Sequence, residues 1–219
     1  VADGIGGIQD GEHASRLAVE TACESFARGW AYYGAEPLMQ RPIDFARSIA
    51  KVVGQRLALE GEFEPRFNRG GTTFSGMVVA GDRIGVCHVG DSRIVLVRDG
   101  EIIPLTQDHT LANILVKLGE LTEEEALEND LSQRTISRFL STATEVETDR
   151  IDDFHPEVER GDLFILTSDG AHGEYTDEEL HQLVETHGDD PQALAEACVG
   201  RALERMGRDN STALVVLVE

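Results

Sequence analysis

Residues 83–100 read Arg-Ile-Gly-Val-Cys-His-Val-Gly-Asp-Ser-Arg-Ile-Val-Leu-Val-Arg-Asp-Gly. Arg83–Val89 and Arg93–Arg98 are short apolar runs punctuated by turn residues, so each reads as a strand. The first ends at Gly90-Asp91-Ser92. The second ends at Asp99-Gly100, a strong hairpin signal. Just upstream, Gly71-Thr-Thr-Phe-Ser-Gly-Met-Val-Val-Ala-Gly-Asp82 reads as a strand closed by a Gly-Asp turn. Just downstream, Glu101–Leu105 continues the meander. Consecutive strands joined by tight turns predict an antiparallel sheet.

Further out the period changes. Ala14, Leu17, Ala18, Thr21, Ala22, Ser25 and Phe26 recur at helical spacing over Gly11–Trp30. A second helix is predicted over about Ile43–Glu60, with Ala46, Ile49, Val53 and Leu57 on one face. Residues 106–150 are polar with short helices, one starting at a capping box, Thr122-Glu-Glu-Glu125. Gly161–Thr167 reads as a buried strand running into Ser168-Asp169-Gly170, and Thr176-Asp-Glu-Glu179 caps another helix. A long helix from about Pro191 to Met206 leads to Arg208-Asp209-Asn210, and Ser211–Val218 is the last strand. Helices, strands, helices, strands, with no repeat or linker, predict one α+β layered domain over 1–219 rather than alternating βαβ units.

Composition limits the function classes. A net charge of −22, with only Lys51 and Lys117 as lysines, repels nucleic-acid phosphates and attracts divalent cations. No apolar run approaches the ~20 residues of a membrane span, and no signal peptide is visible. Cys23, Cys87 and Cys198 have no metal-ligand spacing and read as buried, reduced thiols of a cytoplasmic protein.

Asp3, Asp91, Asp169 and Asp209 share one local feature: each sits between an apolar strand and a tight turn, next to Gly or Asn. Taken singly, each is also an ordinary turn residue, as Asp82 and Asp99 are read to be. Taken together, carboxylates at strand ends are what Mg²⁺ or Mn²⁺ needs, because these hard cations take oxygen ligands. A flanking glycine lets the backbone carbonyl approach an ion as well.

Five segments in order carry a resemblance: Ala2-Asp3-Gly4-Ile5-Gly6-Gly7, Gly71-Thr72-Thr73, His88-Val89-Gly90-Asp91-Ser92-Arg93, Thr167-Ser168-Asp169-Gly170 and Gly207-Arg208-Asp209-Asn210-Ser211. The series resembles the bacterial metal-dependent type 2C protein Ser/Thr phosphatases (the PPM family), over essentially the whole chain. Gln107-Asp108-His109 and Gln133-Arg-Thr-Ile-Ser-Arg138 fit it too. The resemblance implies an α-β-β-α sandwich of two antiparallel sheets flanked by helices, with a variable flap over 106–150. It implies that Asp3 bridges two Mn²⁺ or Mg²⁺ ions, that the Gly4 carbonyl binds one and that Asp169 and Asp209 bind the other. Asp91 resembles the acid that helps Asp169 hold a third, weaker ion. It further implies hydrolysis of phosphoserine and phosphothreonine by water activated between the ions, with no protein nucleophile. The implied partners are phosphorylated proteins, a Ser/Thr kinase or its substrates among them, with no nucleic acid and no membrane.

The chain departs from the family pattern in three places. It begins inside the first motif, so the upstream strands, with a phosphate-binding Arg and a further acid, are expected to be missing by truncation. Ile5 stands where eukaryotic members carry a His, and Ile8 stands where many bacterial members do. His13 is expected on the exposed first turn of its helix, His88 as a hydrogen-bonded core residue, and Glu123–Glu128 as a solvated helix face. The rival readings are a metal hydrolase of another fold acting on small phosphoesters, and a catalytically impaired, phosphatase-like binding or regulatory protein.

Overall fold

The structure is a computed structural model and describes residues 1–5, 8–143, 152–154, 157–205, 207 and 209–219. In chain order its elements are β1 (Gly4–Ile5), α1 (Ile8–Tyr33), α2 (Ala35–Gln40), α3 (Pro42–Phe63), β2 (Gly71–Thr72), β3 (Phe74–Ala80), β4 (Arg83–Val89), β5 (Arg93–Arg98) and β6 (Glu101–Pro104). There follow α4 (Leu111–Lys117), α5 (Glu123–Glu128), α6 (Asp130–Gln133), β7 (Leu140–Ser141), β8 (Asp152–Phe154), β9 (Leu163–Thr167), α7 (Asp169–His172), α8 (Asp177–His187), α9 (Pro191–Glu204) and β10 (Ala213–Leu217).

Period-two alternation sorts the strand side chains into layers. Ile84 and Val86 of β4, Ile94 and Leu96 of β5, and Phe164 and Leu166 of β9 point inward and form the core between two sheets. The intervening residues point outward. Phe74, Val78, Cys87 and Val89 pack under Ala46, Ile49, Val53 and Leu57 of α3 and Ala14 and Ala18 of α1. Val97, Leu163 and Ile165 pack under Leu180 of α8 and Leu194 and Cys198 of α9. The result is helix, sheet, sheet, helix. One sheet runs β10-β9-β5-β6 and the other β3-β4-β8, all antiparallel. A small sheet, β1-β2-β7, continues the second beyond Thr73.

Two features of the meander differ from the sequence reading. The predicted single strand over 71–82 is interrupted at Thr73, which turns its hydrogen bonds to Asp3: its N–H donates to the Asp3 carbonyl and its Oγ1 accepts from the Asp3 N–H, both at 2.8 Å. Second, β4 and β5 do not pair with each other. Gly90-Asp91-Ser92 carries the chain from one sheet to the other, while Asp99-Gly100 makes a true hairpin in which Arg98 faces Glu101.

Two side-chain expectations are corrected. Cys23 is exposed, unlike Cys87 and Cys198, and lines an open apolar cavity between α1 and α3 with Ala22, Phe26, Ala46 and Cys87. His13 is not on an exposed first turn. The helix begins earlier, at Ile8, so His13 falls in the second turn and stacks on Phe67, with ring centroids 4.1 Å apart, and its Nε2 lies 3.0 Å from Glu60 Oε1. His88 is fully buried and hydrogen-bonded as expected, to Ser75 and to the Gln107 carbonyl. Both capping boxes, at Thr122 and Thr176, are present. Among the described residues, no helix is long and apolar enough to cross a membrane.

Candidate metal centre

Strand register brings the four aspartates to one end of the sandwich. In the first sheet Arg93, Thr167 and Ala213 lie side by side, so Asp91 just before β5, Asp169 just after β9 and Asp209 shortly before β10 leave it at the same edge. In the second sheet Val1–Asp3 runs beside Thr73–Ser75, with the Val1 amino group donating to the Ser75 carbonyl at 2.8 Å, and places Asp3 at that edge too. Gly4 has room for no side chain: a Cβ there would stand 2.3 Å from the backbone of Gly11 in α1. That close approach locks the Asp3-Gly4 turn against the helix.

The convergence shows in the acids' protonation. Burial pushes the Asp3 carboxyl up to about 8, and a hydrogen bond with Asp169 and the charges of Asp169, Asp209 and Asp91 add to the shift. Asp91, 6% exposed, is raised to about 7, mainly by burial and then by Asp169 and Asp108. Among the described residues, no three His, Cys, Asp or Glu side chains already stand as a complete coordination set. Burial and the nearby Asp169 carboxyl instead favour the protonated form of Asp3. Asp91 is buried, Asp3 and Asp169 are half-buried and Asp209 is exposed; acids grouped this way offer a cation only hard oxygen donors, and positive charge would remove the repulsion that a proton otherwise relieves.

Buried hydroxyl groups tie the Asp3 strand to the Asp91 turn. Thr73 Oγ1 lies 2.7 Å from Ser92 Oγ, and Thr72 Oγ1 donates to the Asp3 carbonyl. Gly90 adopts φ +115°, and a Cβ there would stand 2.5 Å from Thr73 Cβ, so only glycine completes the crossover. Its N–H donates to His109 Nδ1 at 3.0 Å and its carbonyl accepts from the His109 N–H at 2.7 Å. Ser92 and Ser168 are buried in such contacts, Ser168 Oγ between the Asn210 carbonyl and the Thr212 N–H. Glu123–Glu128 forms α5, apart from the acid cluster, with Glu125 closing its capping box.

Asp91, Asp169 and Asp209 line a cleft of about 710 Å³. Its other walls include cations that sequence reasoning did not place there: Arg93, Arg134 and Arg205. Arg93 is held bidentately by Asp108, with Nη2 2.7 Å from Oδ2. Arg205 donates to the Glu174 carbonyl and pairs with Glu179. His172, on the floor, is pushed down to about 4 by burial and by Arg93, so it is neutral at pH 7. The Arg93–Asp108 link between Gly-Asp-Ser-Arg and Gln-Asp-His could have been suspected from the complementary charges in those two motifs. Arg205 gave no sequence signal.

The protein phosphatase 2C family model matches residues 1–204. The chain belongs to the protein phosphatase 2C family. It is 28% identical over 216 residues to the serine/threonine phosphatase stp of Listeria monocytogenes, covering 99% of this chain and 82% of that protein. It is 30% identical to the serine/threonine protein phosphatase PstP of Mycobacterium tuberculosis over 98% of this chain and 39% of that longer protein. The crystal structure of the Mycobacterium tuberculosis phosphatase superposes with a TM-score of 0.83 at 30% identity, covering 100% of this chain and 87% of that one. A PstP catalytic domain in complex with two manganese ions superposes with a TM-score of 0.79 at 31% identity, covering 100% of this chain and 86% of that one. The α-β-β-α sandwich is thus the fold of a protein Ser/Thr phosphatase family.

Proposed function

We propose that this chain hydrolyses phosphoserine and phosphothreonine in proteins with two divalent cations, Mn²⁺ or Mg²⁺, held by Asp3, the Gly4 carbonyl, Asp169 and Asp209. Asp91 and Asp169 hold a third, weaker ion. The observation that carries this reading is the meeting of four aspartates from both sheets at one edge, with Asp3 raised to about 8 by burial and by its acidic neighbours. When bound, such ions supply Lewis acidity that lowers the pKa of water and offsets phosphoryl charge.

The chain's own residues do the positioning. Gly4 and Gly11 fix the Asp3 turn against α1, and the Thr73–Ser92 contact fixes Asp3 relative to Asp91. Arg93, Arg134 and Arg205 line the cleft as cations for a dianionic phosphate in an otherwise strongly acidic molecule. The flap expected over 106–150 is described for 106–143; it is held together where the Ser137 N–H donates to the His109 carbonyl and tied to the sandwich where the His109 N–H donates to the Gly90 carbonyl. The presence of all four acids supports turnover rather than a binding-only role. The substrates proposed are a Ser/Thr kinase or its phosphorylated targets, in the cytoplasm.

The test is hydrolysis of p-nitrophenyl phosphate and of a phosphothreonine peptide with and without Mn²⁺, alongside calorimetric titration of Mn²⁺. Metal-dependent turnover of both substrates is expected, with Asp209→Asn losing one strong site. Metal-independent turnover, or unchanged binding stoichiometry in that variant, would overturn the assignment.

A further inference from the structure

A second cavity of about 310 Å³ opens beside the catalytic cleft and shares Arg93, Asp108, Gln133 and His172 with it. It lies between the outer face of the β10-β9-β5-β6 sheet and the short helices of 106–150. One wall is apolar: Val95, Ile102 and Pro104 from β5 and β6, and Ile165 from β9. Leu127 of α5 forms part of the opposite rim and is 76% exposed, an apolar side chain with little to cover it in the free protein. At this size the cavity admits a side chain, not a segment of folded protein.

Its charge is set by three groups. Arg93 is engaged by Asp108 through three contacts of 2.7–3.2 Å, so the two together add no net charge to the cavity. Asp177, exposed at the first turn of α8, remains at the mouth. His172 is neutral. The cavity therefore joins one apolar wall to polar side chains, among them Thr106, Gln107, Asn113 and Tyr175, and carries a net negative charge. An aliphatic stem ending in a cation fits both parts, because such side chains bury their methylenes and keep the charged head at the rim.

Resting on the proposed phosphatase activity, we infer that this cavity is a substrate subsite that takes an arginine or lysine side chain flanking the phosphorylated residue. Its shared wall with the metal cleft makes the occupant part of the same bound peptide. A carboxylate side chain at that position meets Asp177 and is disfavoured.

The experiment uses the whole chain with Mn²⁺ and a phosphothreonine peptide carrying alanine at every flanking position. Each position is replaced in turn by arginine, by citrulline (the same shape without charge) and by glutamate. At one position, kcat/KM should rise about two- to fivefold for arginine over citrulline and fall below citrulline for glutamate, the range expected of a partly solvated ion pair. In Asp177→Asn the arginine-to-citrulline ratio should approach one. In Asp177→Lys glutamate should overtake arginine. Each ratio is taken within one preparation, so a loss of folded protein cancels. Turnover of p-nitrophenyl phosphate with no arginine preference at any position would overturn the subsite and leave the phosphatase reading standing. Absence of Mn²⁺-dependent turnover would overturn the phosphatase reading, and the dissociation constants of the same peptides, from fluorescence polarisation, would then decide the subsite. An arginine preference that persists in both Asp177 variants would overturn the role of Asp177 and with it the inference.

Discussion

Strand β5 has an aspartate turn at each end, and each end carries an arginine paired with another aspartate. At one end stand Asp91, Arg93 and Asp108; at the other, Asp99, Arg98 and Asp162. The local chemistry is nearly the same, yet the environments are opposite. Asp91 lies in a crossover between the two sheets, 6% exposed, beside the acids that follow β9 and precede β10. Asp99 lies in a two-residue hairpin within one sheet and is exposed, and both it and Gly100 have positive φ, +52° and +81°. A Gly/Asp turn becomes a candidate ligand site when its strand changes sheets at an edge where other strands also end in acids. The motif alone does not decide this, and neither does the strand.

The widest gap between the two ends should be catalytic. Asp169→Asn, at the acid end, is expected to lower kcat/KM on the order of 10³-fold, with the fold retained by circular dichroism. Asp162→Ala, at the other end, should leave kcat/KM per folded molecule unchanged. It should instead act on stability. Asp162 is 1% exposed, accepts from Arg98 and from the Glu159 N–H at 2.8 Å, and its carboxyl is held below the usual aspartate range chiefly by Arg98. Removing it leaves those donors unsatisfied and should lower Tm by about 4–8 °C. A strong activity loss in folded Asp162→Ala would break the comparison.

The ends should also respond oppositely to pH. Asp3 in the metal-free fold is raised to about 8, against 3.8 when unperturbed. Between those values the folded state holds more proton than the unfolded one, so stability is greatest below about 4 and is lost as pH rises through about 8. Asp162 has the reverse sign: its contribution is present above the ordinary aspartate value and is lost as pH falls below it. Urea titrations of the chelated protein from pH 5 to 9 should show stability falling, and saturating Mn²⁺ should abolish that slope. A slope unchanged by metal would mean that the cation does not bind at Asp3.

Asp91 should give a smaller effect. Its carboxyl is raised to about 7, so in the metal-free protein Asp91→Asn removes an acid that the fold does not favour charged. Tm should stay level or rise slightly, while turnover at saturating Mn²⁺ falls about ten- to a hundredfold. A large Tm loss with normal turnover per folded molecule would make Asp91 a turn residue like Asp99.

Much of this contrast was legible in the chain. Val89-Gly90-Asp91-Ser92 and Thr167-Ser168-Asp169-Gly170 mark strand ends by the switch from apolar runs to turn residues, and β4 and β5 have the predicted bounds. Local pattern does not carry non-local pairing. The sequence made one meander of β4 and β5, because a tight turn between two strands is compatible both with a hairpin and with a change of sheet. The two-residue β7 was invisible, since it is defined by its partner β2 rather than by its composition, and so was the break at Thr73 that sets β2 apart from β3. Arg205 reaches the cleft from beyond the end of α9, and His13 is half-buried against Phe67 and Glu60 from another part of the chain.

The finest separation of the two ends lies in the hairpin itself. Asp99 at φ +52° occupies a conformation that costs most side chains about 1 kcal/mol and glycine nothing. Asp99→Ala should therefore lower Tm by about 2–4 °C, and Asp99→Gly by less. Neither removes a contact with the cleft: the aspartates in its walls are Asp91, Asp108, Asp169 and Asp209, all from the other end of the sandwich. The carboxylate adds only to the field around Arg98, after the nearer Asp162 and Glu159. Mn²⁺-dependent turnover of p-nitrophenyl phosphate by both variants should match the parent within error, measured beside their melting curves. If Asp99→Ala lowered turnover as Asp91→Asn does, with Tm held, the two turns would be energetically coupled through the length of β5. The acid end could then no longer be treated as a site built independently of the strand's far end.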